Sequence, residues 1–197
     1  MSSGSGARPP VHCFCHLAGS CSAPVRLVFD VSLVALALAG AWHDIRTRRI
    51  PNSLTLTGLL AAFILRVPFG LAAVADGVIG AGVAFLVAVP LFALGAFGGG
   101  DTKFLVALGA FLGGSRLLGA LLVIALIGGI LALLDAMRRG SLVRLLRDSA
   151  ALAANLVTLG RAGSRPTISS PGVATIPYGV PMALGAIAWW FFGGQLL

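Results

Sequence analysis

The stretch FGGGDTKFLVALGAFLGG, Phe97 to Gly114, places the only lysine of the chain and one of its few acids behind three consecutive glycines, at the mouth of an apolar segment. Gly113 lies 12 positions after Asp101, about 18 Å of helix at 1.5 Å per residue. A hydrocarbon layer is about 30 Å thick, so this segment cannot cross it unaided. If its far end reaches one interface, Asp101 must lie below the other. Irregular backbone is tolerated at such depth only where protein or a water-filled cavity surrounds it. Two readings of GGGD are open at this point. One is a flexible loop capped by Asp; the other is a turn whose missing Cβ atoms let an incoming backbone approach an acid.

Working outward, the 197-residue chain is 58% hydrophobic and 10% charged, with a mean hydropathy of +1.00, far from the usage of soluble domains. The fold class that follows is an all-α integral membrane protein. Apolar segments run from about 25 to 42, 53 to 67, 71 to 96, 102 to 112, 117 to 136 and 178 to 196, which predicts a bundle of about six transmembrane helices. Beyond it, Leu142, Leu145, Leu146, Leu152, Ala153 and Leu156 recur at three- and four-residue spacing, with Arg144, Arg147, Asp148 and Asn155 off that face. This predicts an amphipathic surface helix, followed by the polar loop RAGSRPTISSPG, within about 138–176. Residues 1–24 are expected to be a flexible tail and 25–197 a single membrane domain.

The charge is +8 and almost wholly arginine. If the DIRTRRIPN loop is cytoplasmic, that side collects Arg46, Arg48, Arg49, Lys103, Arg138, Arg139, Arg144, Arg147, Arg161 and Arg165, against Arg8, Arg26, Arg66 and Arg116 on the other. The positive-inside rule then places the N-terminus outside. No basic stripe interleaved with aromatics occurs, so nucleic acid is not an expected partner. Cys13, Cys15 and Cys21 crowd the tail with His12 and His16, but their spacing is not a zinc pattern. No metal and no cofactor is expected.

The acids are six aspartates and no glutamate, and each can be weighed. Asp30 and Asp76 lie near the outer ends of their segments and are expected to be interfacial. Asp135 precedes Arg138 and Arg139 at helix-face spacing, and Asp148 belongs to the surface helix. Asp44 follows the first segment in AWHDIRTRRIPN, where a helix is expected to end with its acid at the rim and an Ile-Pro-Asn break to start the next. The topology puts Asp44 and Asp101 on the same side, at the ends of different helices. Two carboxylates sharing a site cannot easily both ionise. One can then act as base on a water while the other donates to a carbonyl oxygen, the requirement for an aspartic protease. G-x-S-x-G, H-E-x-x-H and Walker A sequences do not occur, and His43, beside Asp44, is expected to be interfacial.

DIRTRRIPN (44–52) together with GGGDTK (98–103) resembles the two signatures of type IV prepilin peptidases, G-x-G-D aspartic proteases of the membrane, and IPYGVP (176–181) resembles the start of that family's last helix. The resemblance implies that Asp44 and Asp101 are the catalytic pair, with Gly98, Gly99, Gly100, Lys103, Pro51 and Asn52 shaping the site. It implies cleavage of a short basic leader from pilin-like precursors, at the cytoplasmic face of the bacterial inner membrane, with pilus assembly machinery as a further partner. The family's larger members carry a cytoplasmic insertion with paired C-x-x-C motifs and methylate the new N-terminus. This chain shows no such insertion and resembles the short, peptidase-only branch serving Flp/Tad-type pili, for which methylation is not expected. Two other classes stay in view: a small transporter or channel component with Asp101 as its ion or proton site, and a non-catalytic secretion scaffold.

Overall fold

The computed structural model describes residues 23–94, 96–138, 140, 147, 149–150 and 178–193. Its elements are α1 (Ala23–Thr47), α2 (Asn52–Arg66) with a 3-10 turn (Val67–Phe69), α3 (Leu71–Ala93), α4 (Gly99–Leu112), α5 (Gly114–Arg138) and α6 (Gly179–Phe192). The breaks follow from local chemistry. Pro51 holds an extended conformation that starts α2, Pro68 and Gly70 (φ 92°) turn the chain into α3, and Gly113 (φ 78°) alone separates α4 from α5. Positive φ is cheap for glycine, so one residue suffices to reverse direction there. The tail expected over 1–24 lies outside the described residues except for its last two, which begin α1. The surface helix and loop expected over 138–176 also lie outside them apart from isolated positions.

Among the described residues four stretches are long and apolar enough to cross a membrane: Pro24–Thr47, Asn52–Phe69, Leu71–Ala93 and Gly114–Arg138. Their apolar windows are at most 28% buried within the fold. Leu86, Leu122, Leu126 and Ile64 stand outward, a surface that only lipid covers without cost. The chain is an all-α membrane protein.

The helices form a ring around α4. Among the described residues α1 packs on α2, α2 on α3, α3 on α5, α5 on α6 and α6 back on α1, and every one of the five also touches α4. Accordingly α4 is buried on all sides, with Thr102, Phe104, Leu105 and every residue from Ala107 to Leu112 buried. A helix apolar all round belongs inside. At 14 residues it spans about 21 Å, and its enclosure is what makes that length tolerable. Lipid chains are as apolar as leucine, so close packing rather than expulsion of water holds such helices together. A Cβ at Gly80 of α3 would run into the Gly109 carbonyl of α4, and one at Gly40 of α1 would run into the Phe104 ring.

The far end of α4 is closed by an arginine. The last carbonyls of a helix have no partner within it, and here Arg66, buried at the end of α2, donates from Nε to the Ala110 carbonyl at 2.8 Å and from Nη2 to the Phe111 carbonyl at 2.9 Å. Its Nη1 reaches the Ala73 carbonyl at 2.6 Å and the Asp76 carboxylate at 3.4 Å. Asp76 in turn accepts from the Ser115 N–H at 3.3 Å. Asp76 is therefore the counter-charge of a cap that joins α2, α3, α4 and α5, more than the interfacial residue expected of it. Asp30 is likewise engaged, accepting from the Trp190 indole at 3.0 Å.

Candidate active site

The opposite end of α4 gathers three chain segments. The first is the end of α1. The sequence suggests a helix ending at Asp44, but α1 runs one turn further, to Thr47, whose hydroxyl donates to the His43 carbonyl at 2.9 Å. Termination comes at Arg48, in the left-handed region (φ 52°), whose N–H bonds the Asp44 carbonyl at 2.9 Å. Asp44 is thus placed on the last turn of a helix and is only 5% exposed. His43 next to it faces outward.

The second segment is GGGD. The glycines do not form the tight turn expected of them. Gly98 is extended (φ −78°, ψ 157°), Gly99 and Gly100 are already the first turn of α4, and positive φ at glycine occurs among the described residues at Gly70, Gly113 and Gly140. Asp101 is consequently the third helical residue. Its Oδ2 reaches back to accept the Gly98 N–H at 3.1 Å, satisfying one of the donors a helix start leaves open. The clearance expected for an incoming backbone is taken up at Gly100 by the chain itself, since an added Cβ would lie 3.2 Å from the Ile50 carbonyl oxygen. The IPN turn and α4 are therefore in near backbone contact, and Lys103 Nζ donates to Asn52 Oδ1 at 2.9 Å across the same seam. Pro51 sits half-buried between these contacts as the residue that starts α2.

The third segment is the start of α6. The Gly179 N–H donates to Asp44 Oδ2 at 2.6 Å, and the Tyr178 ring packs against Phe97, centroids 5.5 Å apart. Sequence reasoning singled out IPYGVP only through resemblance and assigned it no role. A glycine directly after an aromatic at a helix start is its only local signal. Tyr178 lies within electrostatic reach of Asp101, as Asp44 does, so the two acids and the α6 start form one cluster.

Burial pushes the Asp101 carboxyl up to about 6; the Gly98 hydrogen bond opposes the rise and the Asp44 charge adds to it. Both carboxyls accept a main-chain N–H, and the one at 101 keeps its proton up to about pH 6, which suits acid–base hydrolysis in which one carboxyl donates and the other accepts. Among the described residues no three His, Cys, Asp or Glu side chains converge as a metal set would.

A family model described as the type IV leader peptidase family matches residues 31–133, just over half of the chain and the part that holds both acids. The prepilin leader peptidase/N-methyltransferase of Myxococcus xanthus (strain DK1622) is 36% identical over 121 residues, covering 58% of this chain and 36% of that protein. No solved structure matches the chain.

Proposed function

Because the chain belongs to the type IV leader peptidase family, we propose that it is an aspartic endopeptidase cleaving the basic leader of prepilin-like precursors, with Asp44 and Asp101 as the catalytic pair. The observation that carries this reading is the meeting of the two acids, from different helices, at one end of a membrane bundle. In the reaction one carboxylate takes a proton from water as its oxygen attacks the scissile carbonyl, while the other carboxyl donates to the carbonyl oxygen. The resulting diol collapses, the C–N bond breaks and the leaving amine takes a proton back from the pair. Gly98, Gly99, Gly100, Pro51, Asn52 and Lys103 shape the seam on which the substrate backbone lies, and residues 25–197 act as one peptidase unit.

Arg46, Arg48, Arg49, Lys103 and Arg138 share the end of the bundle that holds the acids, which supports a site facing the cytoplasm from the bacterial inner membrane with the N-terminus outside. The pilus assembly machinery is the further partner this placement suits. The test is the purified protein in liposomes with a precursor bearing a basic leader and an apolar helix. The expected product, identified by mass spectrometry, is a new N-terminus just before the apolar helix. An intact precursor in the presence of folded protein would overturn the reading. The rate should fall as pH rises through about 6, because kcat/KM reports the free enzyme and the Asp101 proton is then lost. That limb belongs to the coupled pair rather than to one residue.

A further inference from the structure

We propose that Gly179 is a positioning residue of this site: its main-chain N–H holds the Asp44 carboxylate, and the lack of a side chain at 179 is what allows the approach. The inference rests on the peptidase reading above and adds a third chain segment to it. Asp44 is buried, and a buried carboxylate without a donor is costly. The donor comes from 135 residues away in sequence, at 2.6 Å, the short distance of a bond to a charged acceptor.

The reason for glycine here is contact rather than conformation. Gly179 is the first residue of α6 and is absent from the positive-φ positions Gly70, Gly113 and Gly140, so any residue could adopt its backbone. A Cβ, however, would lie 2.8 Å from Asp44 Cβ, 2.9 Å from Oδ2 and 3.1 Å from Cγ. What such an atom would displace is the carboxyl group itself. Tyr178, its ring tilted at 53° against Phe97 beside Gly98, ties the same turn of α6 to the start of α4. One short segment thereby registers Asp44 against Asp101. The charged groups facing Asp44 are Arg48, following α1, and Asp101 of α4, with Tyr178 the titratable neighbour of Asp101.

The experiment compares Gly179→Ala with Gly129→Ala, a glycine of α5 with open space around it, in the full-length protein in liposomes. Displacing a reacting group by about 1 Å costs about 100-fold in rate. Gly179→Ala should therefore lose about that much kcat with little change in KM, and the acidic limb of its pH profile should move to higher pH because the carboxylate loses a donor. Gly129→Ala should behave as the unsubstituted protein. Wild-type kcat with an unmoved profile in Gly179→Ala overturns the proposal. So does a loss confined to KM.

A second measurement needs no variant at 179. In protein labelled with 15N-glycine, the Gly179 amide resonance should titrate with the site and cease to do so in Asp44→Asn. An amide indifferent to both pH and Asp44→Asn overturns the proposal even if Gly179→Ala fails to fold. Because this readout is independent of cleavage, a protein that processes no precursor would count against the peptidase reading alone.

Discussion

Asparagine at either Asp44 or Asp101 is expected to abolish processing of a co-expressed precursor while leaving the protein in the membrane. Each substitution removes a proton acceptor or donor worth about 10²–10⁴ in rate, and neither leaves a partner for the other to share a proton with. The fold should survive. An asparagine side-chain oxygen can still accept from the Gly98 N–H at 101 or from the Gly179 N–H at 44, the bonds the carboxylates make now. Stability supplies an internal check at 101. The folded value of Asp101, about 6, lies above its ordinary 3.8, so its stabilising contribution is complete below about pH 4 and is lost as pH rises through about 6. Asp101→Asn removes that dependence, and its Tm should gain on the parent as pH rises through the same window. Precursor processed at the normal rate by either variant would end the catalytic assignment.

The largest loss of stability is expected from Arg66→Met. Methionine fills a similar volume but leaves the Ala110 and Phe111 carbonyls without the donor Arg66 supplies, and Asp76 without its counter-charge. Leaving a buried carbonyl without its donor costs about 1–3 kcal/mol, and two are lost here, while the ion pair adds less because Asp76 is partly exposed; the sum is a large fraction of the roughly 5–15 kcal/mol that holds a domain. Unfolding followed by tryptophan fluorescence in detergent would measure it. Arg66→Lys should recover part of the loss, since an ammonium can face Asp76 but cannot fork to two carbonyls at once. A Met variant as stable as the parent would show that the arginine does not hold the end of α4.

How far these features could be read in the residues differs by kind. The helical segments were legible because apolar runs of membrane length have few other uses, and Asp44 and Asp101 stood out because the other acids had bland settings. The brevity of α4 was also legible; its encirclement by five helices was not, since all of its neighbours are apolar and nothing local says which of them touch. The glycines of GGGD were half read. A close backbone approach was expected from a substrate and is made at Gly100 by Ile50 of the chain itself, and the turn was not found, because the helix begins earlier and uses the Asp101 carboxylate to close its own start. Arg66 and Gly179 were beyond reach for one shared reason. Each bonds main-chain or side-chain atoms dozens of residues away, and a main-chain carbonyl or N–H leaves no mark in a string of side chains.

The enclosure of α4 also bears on how the protein is made. Chains enter the membrane roughly in order of synthesis, and a 14-residue helix carrying an aspartate and a lysine has little tendency to remain in lipid alone. When α4 emerges, α1, α2 and α3 can cradle one side of it and Arg66 can catch its end, but the wall formed by α5 and α6 does not yet exist. The Asp44 carboxylate has no Gly179 N–H to receive it until the start of α6 has been made. The surroundings of Asp44 are therefore set only once α6 has joined the bundle, well after both acids have been made.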